Sequence, residues 1–302
     1  MLSRRNFVTG ALTAPILAGA TRSIAQVSIG TGVLQTVSDG NLVLPADFIF
    51  GPMPQDQLPK LRAEFGLEGE TLLPDCNLTL FRDGARTVLF DAGSGADFMP
   101  SAGKLVSSLD AIGLTPEDIT HVLFTHAHPD HIWGVLDDFD DPLFAEATYM
   151  MGRAEWDYWW NPETVDTIGA ARAPFAVGAK RRMEAIEDVV EFFDDGDEVL
   201  PDIAAIASYG HTPGHMAFEV RAGDDAALIV GDAIGNHHAA FARPDWPSGS
   251  DHDQDTAIST RTQLLDRLAG EQMRLVGFHL PDGGMGRVER TGGAYRFVPE
   301  GA

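Results

Sequence analysis

Residues 125–131, Thr-His-Ala-His-Pro-Asp-His, place three imidazoles and one carboxylate within a single short segment. Such groups repel one another when charged, and they are costly to bury without partners. A divalent cation reverses that balance, because imidazole nitrogens and carboxylate oxygens each bind it at about 2.0–2.2 Å. A solvated polar loop would leave this spacing unexplained. Because the segment follows the apolar run of residues 121–124, we expect a metal site at the end of a strand.

Three later apolar runs also end on a histidine or an aspartate. His211 follows residues 203–207, Asp232 follows residues 226–230, and His279 follows residues 274–278. Folds that mix helices and strands commonly place chemistry at the carboxyl ends of strands. Together with the first cluster, the candidate ligands are His126, His128, Asp130, His131, His211, Asp232 and His279. A tetrahedral catalytic zinc takes three protein ligands and keeps one position open, so this set predicts two ions.

The spacing also predicts how the ligands divide between the two ions. His126 and His128 are two residues apart, so on an extended segment they point to the same side and can bind one ion. Asp130 and His131 are placed to turn toward the second ion. Asp232 is the natural bridge, because a carboxylate has two oxygens and can serve both ions.

These motifs, taken in order, resemble those of the metallo-β-lactamase-superfamily hydrolases. The His-x-His-x-Asp-His signature stands at residues 126–131, His211 opens His-Thr-Pro-Gly-His, Asp232 lies in Gly-Asp, and His279 lies near the end. The resemblance runs from about residue 33 to residue 298. It implies a mixed α and β fold, a four-layer αβ/βα sandwich with two mixed sheets. It also implies the ligand sets, which are His126, His128 and His211 for metal one, Asp130, His131 and His279 for metal two, and Asp232 as the bridge.

A closer resemblance is to the methyl parathion hydrolase branch and its lactonase-like and arylesterase-like relatives. Residues 37–40, 91–93 and 293–299 carry it. The resemblance implies an active-site mouth lined by aromatic side chains, and alignment places Phe98, Trp159 and Phe175 there. It also suggests a homodimer. Residues 240–255 depart from the branch, so its substrate preference is not carried over.

Other polar residues are predicted to act as partners of the metal site. We expect His215, four residues after His211, to donate a hydrogen bond that orients a ligand or the substrate. Asp91 is expected either to accept a hydrogen bond from a ligand histidine or to form a turn. His237 and His238 are predicted to be exposed loop residues, and His252 shows no functional indication.

Local patterns predict several further elements. Alternation over residues 27–44 predicts a hairpin with its turn at residues 38–41, and Asp83-Gly84 predicts a second hairpin. Helical patterns cover residues 57–65, 104–112 and 256–269. Cys76 is the single cysteine, which excludes an internal disulfide, and its strand context predicts a small buried hydrophobe.

The N-terminus and the net charge bear on location and partners. Ser3-Arg4-Arg5-Asn6-Phe7-Val8 resembles a bacterial twin-arginine export motif, and an apolar stretch and an A-x-A-like site follow it. We therefore expect residues 1–25 to be a signal peptide, residues 26–302 to form a single domain, and the mature protein to be periplasmic without stable membrane association. The formal net charge of −24 disfavours nucleic acid and favours a small-molecule substrate.

The sequence thus predicts a hydrolase that uses two divalent ions, with zinc favoured, and a bridging hydroxide. Its substrate would be a small neutral ester-like molecule: a lactone, an aryl ester or a phosphotriester. Asp130 or Asp232 would relay the proton. A glyoxalase II-like thioesterase, a β-lactamase and an exported metal-binding or flavin-partnered redox protein are the alternatives. Asp232 excludes the zinc β-lactamase pattern that has cysteine at the bridging position.

Overall fold

The computed structural model describes residues 25–301, so the predicted signal peptide lies outside the described residues except for Ala25. The strands, in chain order, are β1 (Gln26–Ile29), β2 (Gly32–Asn41), β3 (Leu44–Pro45), β4 (Thr71–Leu72), β5 (Asp75–Arg82), β6 (Thr87–Phe90), β7 (His121–Phe124), β8 (Thr148–Gly152), β9 (Glu191–Phe193), β10 (Glu198–Leu200), β11 (Ile203–Ala207), β12 (Met216–Ala222), β13 (Asp225–Ile229), β14 (Arg274–Val276), β15 (Met285–Thr291) and β16 (Ala294–Pro299). The helices are α1 (Ala46–Phe50), α2 (Leu58–Glu64), α3 (Leu105–Ala111), α4 (Pro129–Ile132), α5 (Arg153–Trp160), α6 (Thr164–Thr167), α7 (Ala173–Glu184), α8 (Ala239–Ala242) and α9 (Gln254–Glu271), with short 3₁₀ turns at Pro116–Asp118 and Trp133–Val135.

Two seven-stranded sheets form the centre of the molecule. The first has the order β1-β2-β5-β6-β7-β8-β9, and the second runs from β10 to β16 in chain order. Pairing is parallel from β6 to β9 and between β13 and β14, and the other pairs within these sheets are antiparallel. Both sheets are therefore mixed, as predicted.

The alternation of apolar side chains decides how the layers stack. In β7, Val122 and Phe124 face a helical layer that includes α3, α5 and α7, whereas Leu123 faces the second sheet. Between the sheets, the rings of Phe90 and Phe218 lie 5.3 Å apart, centroid to centroid. Because both faces of β7 are buried, its sequence is a continuous apolar run rather than an alternating one.

On the far side of the second sheet, α8 and α9 complete the structure. Leu264, Leu265 and Leu268 of α9 pack against Leu228 of β13 and Leu275 of β14. The order of layers is helices, sheet, sheet, helices, which confirms the predicted αβ/βα sandwich.

The predicted turn at residues 38–41 is wrong. Strand β2 continues through these residues and pairs with β5, with a break in register between Ser38 and Gly40, and the actual turn lies between β1 and β2. The Asp39 carboxylate points into the protein, where it accepts hydrogen bonds from the backbone N–H groups of Ser94, Gly103 and Leu105. The Asp-Gly pair therefore makes a bulge, which sequence alone does not distinguish from a hairpin turn.

The other local predictions agree with the structure. The hairpin at Asp83-Gly84 joins β5 to β6, and the three predicted helices are α2, α3 and α9. Cys76 is fully buried in β5, and burial raises the pKa of its thiol to about 12, so it is a small buried hydrophobe rather than a thiolate.

Candidate metal centre

The segment after β7 places His126 and His128 on the same side. His126 Nε2 lies 3.0 Å from His128 Nδ1, and that same Nδ1 lies 2.9 Å from His211 Nε2. His211 reaches this point from the loop after β11 in the opposite sheet. A hydrogen bond of 2.8 Å from the Met216 N–H to the Thr125 carbonyl links the two sheets beside the three histidines. The two sheets thus bring together a group of three histidines, which we call the first ligand group.

Asp130, His131, Asp232 and His279 form the second ligand group. Asp130 and His131 lie in α4, which begins directly after His128. His279 Nε2 lies 3.2 Å from Asp130 Oδ2, and His131 Nε2 lies 3.5 Å from the same oxygen. Asp232 and His279 arrive together because they follow the parallel neighbours β13 and β14.

Asp232 lies between the two groups. Its Oδ2 is 3.4 Å from His211 Nε2 and 3.2 Å from His279 Nε2, while its Oδ1 is 3.4 Å from His131 Nε2. The carboxylate therefore faces one histidine of the first group and two of the second. This is the placement that a bridging ligand requires.

The donor set fits two divalent ions. Asp130 Oδ2, His131 Nε2 and Asp232 Oδ1 are buried and have no hydrogen-bond partner among the described residues. Orphaned buried polar atoms are rare in native proteins and call for an unseen partner. Ligand atoms around one tetrahedral ion lie about 3.3–3.6 Å apart. The separations of 2.9 Å to 3.5 Å found here are close to that range.

His126 and His128 of the first group differ in pKa from His131 and His279 of the second group when no ion is bound. Burial, and then the neighbouring imidazoles, hold the pKa values of His126 and His128 well below the ordinary value. Burial alone would lower the pKa of His131 too, but the carboxylates of Asp130, Asp232 and Asp91 raise it to about 10. The pKa of His279 is likewise raised by Asp232 and Asp130, against burial. Despite its burial, Asp232 has a pKa well below the ordinary value because His279 and His131 face it.

Each ligand histidine also uses its second ring nitrogen. His131 Nδ1 donates to Asp91 Oδ2 at 2.8 Å, and His279 Nδ1 donates to the Asp75 carbonyl at 2.7 Å. In the first group, the outward nitrogens meet Thr125 Oγ1, His252 Nε2 and Asp251 Oδ1 at distances of 3.0 Å, 3.0 Å and 3.1 Å. Such outer partners fix the tautomer and orientation of a metal-binding imidazole. Asp91 thus accepts a hydrogen bond from a ligand histidine, the first of the two roles that the sequence suggests.

His215 has a different role from the one expected. Its Nε2 accepts a hydrogen bond of 3.0 Å from the Asp232 backbone N–H, and its Nδ1 pairs with Ser208 Oγ at 2.7 Å. It is therefore an acceptor that holds the backbone of the bridging residue, and it donates to no ligand side chain. Burial keeps its pKa well below the ordinary value, which preserves the neutral acceptor.

Glu155 joins the two loops of the first group, a role that the sequence did not reveal. Its Oε1 accepts from the Ala127 N–H at 2.9 Å and from Trp159 Nε1 at 2.6 Å. Its Oε2 accepts from Thr212 Oγ1 at 2.7 Å and from the Gly214 N–H at 3.0 Å. The carboxylate thus ties the loop of His126 and His128 to the loop of His211. Because it stands in an aromatic helix, away from every motif, its spacing offered no signal.

A pocket with a mostly apolar wall opens over both groups. Phe98 and Phe175 line it as predicted, with ring centroids 6.2 Å apart. Trp159 requires a correction, because it is 1% exposed and packs in the core under α5. Its ring stands 5.7 Å from that of His128, on the core side of the site. Trp159 lies on the buried face of the helix, three residues after buried Trp156.

Two further expectations about histidines are wrong. His237 and His238 both line the pocket, where they pack against Phe65, and His238 is buried. His252 contacts His128 directly. The signal that could have identified His252 is its position beside Asp251, since a pair of polar neighbours in one loop can reach two ligands.

Known proteins share this fold. A family model described as the metallo-beta-lactamase superfamily matches residues 73–279. An uncharacterized protein of Mycobacterium tuberculosis is 29% identical over 212 residues, which cover 67% of this chain and 85% of that protein. The N-acyl homoserine lactonase AttM of Azorhizobium caulinodans is 29% identical over 126 residues, or 41% of this chain and 44% of that protein.

Two solved structures are similar over nearly the whole chain. AidC, described as a dizinc quorum-quenching lactonase, has a TM-score of 0.86 at 24% identity and covers 93% of this chain and 98% of its own. The hydrolase AbOPH has a TM-score of 0.85 at 24% identity, with the same coverage of 93% and 98%. Within residues 25–301, no helix is long and apolar enough to cross a membrane. By its motifs, its fold and its family match, the chain belongs to the metallo-beta-lactamase superfamily and is a metal-dependent hydrolase.

Proposed function

We propose that this hydrolase uses two metal ions to cleave a small neutral ester-like substrate, above all a lactone or an ester with an apolar acyl or aryl group. The observation that carries the proposal is the position of Asp232. It stands between the two ligand groups, under a pocket whose wall is mostly apolar. AttM and AidC, both named as lactonases, support the lactone in particular.

The pocket wall is suited to a hydrocarbon group. Leu42, Leu44, Ile49 and Leu72 line one part of it, and Phe98 and Phe175 line another. Burial of apolar surface is worth about 25 cal/mol per Å². An acyl chain or ring held against these side chains would place its ester carbonyl over the two ligand groups.

Two bound ions would lower the pKa of a water between them, so that hydroxide is available at neutral pH, and would polarise the substrate carbonyl. Residues of the chain then transfer the proton of the attacking water. Asp232 is occupied by its position between the two ligand groups. Asp130 Oδ2 faces the ligand histidines His131 and His279, which leaves its other oxygen, Oδ1. We therefore assign Asp130 Oδ1 to receive the proton and return it to the leaving oxygen.

The charges around the pocket favour a neutral substrate. Arg172 is the only Lys or Arg among the described residues that line the pocket, and the chain carries a formal net charge of −24. An anionic substrate, such as a glutathione thioester, would be repelled by this surface. The thioesterase alternative is therefore disfavoured.

Metal identity, location and assembly are further parts of the proposal. Zinc suits the His and Asp donor set, and AidC is described as a dizinc enzyme. The motif at residues 3–8 supports twin-arginine export to the periplasm. Fractionation of cells that express the full chain and its Arg4→Lys/Arg5→Lys variant tests the export. The predicted homodimer is tested by sedimentation of the purified protein.

A substrate panel tests the central proposal. The protein is stripped with a chelator, reloaded with zinc, and assayed on an acyl lactone, an aryl ester, a phosphotriester, a β-lactam and a glutathione thioester at equal concentration. We expect the reloaded protein to prefer the lactone or the aryl ester and the stripped protein to be inactive. Equal turnover by stripped and reloaded protein would overturn the metal mechanism. A preference for the thioester would overturn the proposed substrate class.

A further inference from the structure

We propose that Asp251 and His252, neighbours in one loop, are positioning residues that hold the first ligand group from behind. They act on His211 and His128 through the ring nitrogens that face away from the ion. The inference rests on the proposal that the first group binds an ion, but it does not depend on the substrate.

The ring nitrogens of His128 show which side faces the ion. Its Nδ1 lies 3.0 Å from His126 Nε2 and 2.9 Å from His211 Nε2, so Nδ1 points to the common centre of the group. Its Nε2 points away and lies 3.0 Å from His252 Nε2. His211 is reversed, with Nε2 toward the centre and Nδ1 at 3.1 Å from Asp251 Oδ1.

The positions of the protons follow from these contacts. A neutral imidazole that binds an ion through one nitrogen carries its proton on the other. His128 Nε2–H must therefore donate to His252 Nε2, which has to be an acceptor. The proton of His252 is then on Nδ1, which faces Tyr158 Oη at 3.4 Å. By the same reasoning, His211 Nδ1–H donates to Asp251.

The loop that carries both residues is firmly held. The His252 N–H is shared between the carbonyls of Gly210 and His211 at 3.1 Å each. Buried Arg261 donates to the carbonyls of Pro244 at 3.1 Å and Trp246 at 2.8 Å, and it pairs with Asp251 Oδ2 at 3.4 Å. The loop can therefore impose an orientation on the ligands rather than follow them.

The two partners also differ in charge. His211 and His131 each donate to a carboxylate, whereas His128 donates to a neutral imidazole. A carboxylate partner makes a ligand imidazole more basic than a neutral partner does. His252 thus limits the electron density that the first group passes to its ion, while it still fixes the ring of His128.

Metal titrations of matched variants test the inference without any substrate. His252→Phe keeps a ring but removes the acceptor, and His252→Gln restores an acceptor without the ring. We expect His252→Phe to weaken the binding of one of the two zinc ions by about 10- to 100-fold, measured by competition against a chelator. His252→Gln should recover most of that loss of affinity. The visible absorption of the cobalt-substituted protein should change in the Phe variant and return toward the wild type in the Gln variant.

A third variant and a control complete the test. Asp251→Asn keeps an acceptor for His211 but loses the charge, so we expect a smaller loss of affinity for the same ion. His121→Phe makes the same change at a partly buried histidine at the start of β7, remote from the ligand groups, and should leave both affinities unchanged.

The outcomes separate this inference from the proposed function. Wild-type affinity and an unchanged cobalt spectrum in His252→Phe would overturn the positioning role while the metal centre stands. The positioning role would also be overturned if both variants, His252→Phe and His252→Gln, lost affinity for both ions to the same extent. That pattern would indicate general destabilisation of the protein. Failure of the wild-type protein to bind two ions would overturn the proposed function itself.

Discussion

Nδ1 of His131 lies 2.8 Å from Oδ2 of Asp91, and both side chains are buried. The other oxygen of Asp91 accepts the Thr125 N–H at 2.7 Å, so one carboxylate positions a ligand and the start of the ligand segment. Asp91 has a φ of +65°, a conformation that Asp and Asn tolerate better than most residues.

Asp91→Asn tests this relationship with little change in shape or backbone preference. The amide has only one acceptor oxygen, so it cannot accept from both the His131 ring and the Thr125 N–H. We expect the ion of the second ligand group to bind about 10- to 100-fold more weakly, measured by chelator competition. An unchanged affinity for both ions would contradict the role of Asp91.

Asp232→Ala should abolish hydrolysis and leave the fold in place. The side chain faces three ligand histidines, so its removal weakens both ligand groups at once. We expect turnover to fall by more than about 100-fold, beyond the loss typical of outer hydrogen-bond partners. Metal content and circular dichroism of the variant check the cause. Retained turnover with two bound ions would exclude the bridging role.

Ion binding to the second group should release protons from His131 and His279, whereas His126 and His128 of the first group have none to release. His131, with a pKa of about 10, and His279 are protonated at neutral pH, but His126 and His128 are neutral. A metal ion must displace the protons of His131 and His279, so its affinity for the second group should rise with pH up to about 10.

Calorimetry in two buffers of different ionisation enthalpy measures that release directly. We expect the binding step of the second group to release about two protons at pH 7. Equal proton release from both binding steps would show that the carboxylates do not protonate the second group as described.

Phe175→Ala should raise KM for a substrate with an apolar acyl group. The Phe175 ring lies between the Phe98 ring at 6.2 Å and the His128 ring at 6.1 Å, at the border between the apolar wall and the ligands. Loss of the contact with one aromatic face should cost about 1–1.5 kcal/mol of binding free energy, which corresponds to a rise in KM of about 5- to 13-fold. Phe139→Ala is the control, because Phe139 is 83% exposed and does not line the pocket. The same KM change in both variants would contradict the assignment.

Glu155→Gln should destabilise the protein through the loops of the first group. All four groups that contact the carboxylate are donors, so the amide of glutamine must point its own N–H atoms at some of them. We expect a loss of about 2–4 kcal/mol in the free energy of unfolding, measured in urea. Glu184→Gln, at an exposed glutamate of α7, should change it by less than about 0.5 kcal/mol. A similar change in the free energy of unfolding in both variants would contradict the structural role of Glu155.

The sequence by itself determined the identity of the candidate ligands and the class of fold. Ligand histidines and aspartates follow apolar runs at fixed spacing, and the chemistry of a metal site tolerates few other residue types there. The spacing separated His126 and His128 from Asp130 and His131 and suggested Asp232 as the bridge, and the family resemblance of the motifs implied the complete ligand groups. The layered sandwich followed from the resemblance that these motifs carry.

Only the tertiary structure decided which residues stand behind the ligands. Glu155, Asp251 and His252 are distant from the first cluster along the chain, and their contacts form only when the loops of the two sheets meet. The inward turn of Trp159 and the bulge at Asp39 likewise depend on packing and on hydrogen-bond partners far along the chain. The physical reason is that a ligand must satisfy the coordination chemistry of an ion, whereas any buried donor or acceptor within reach can serve as its outer partner.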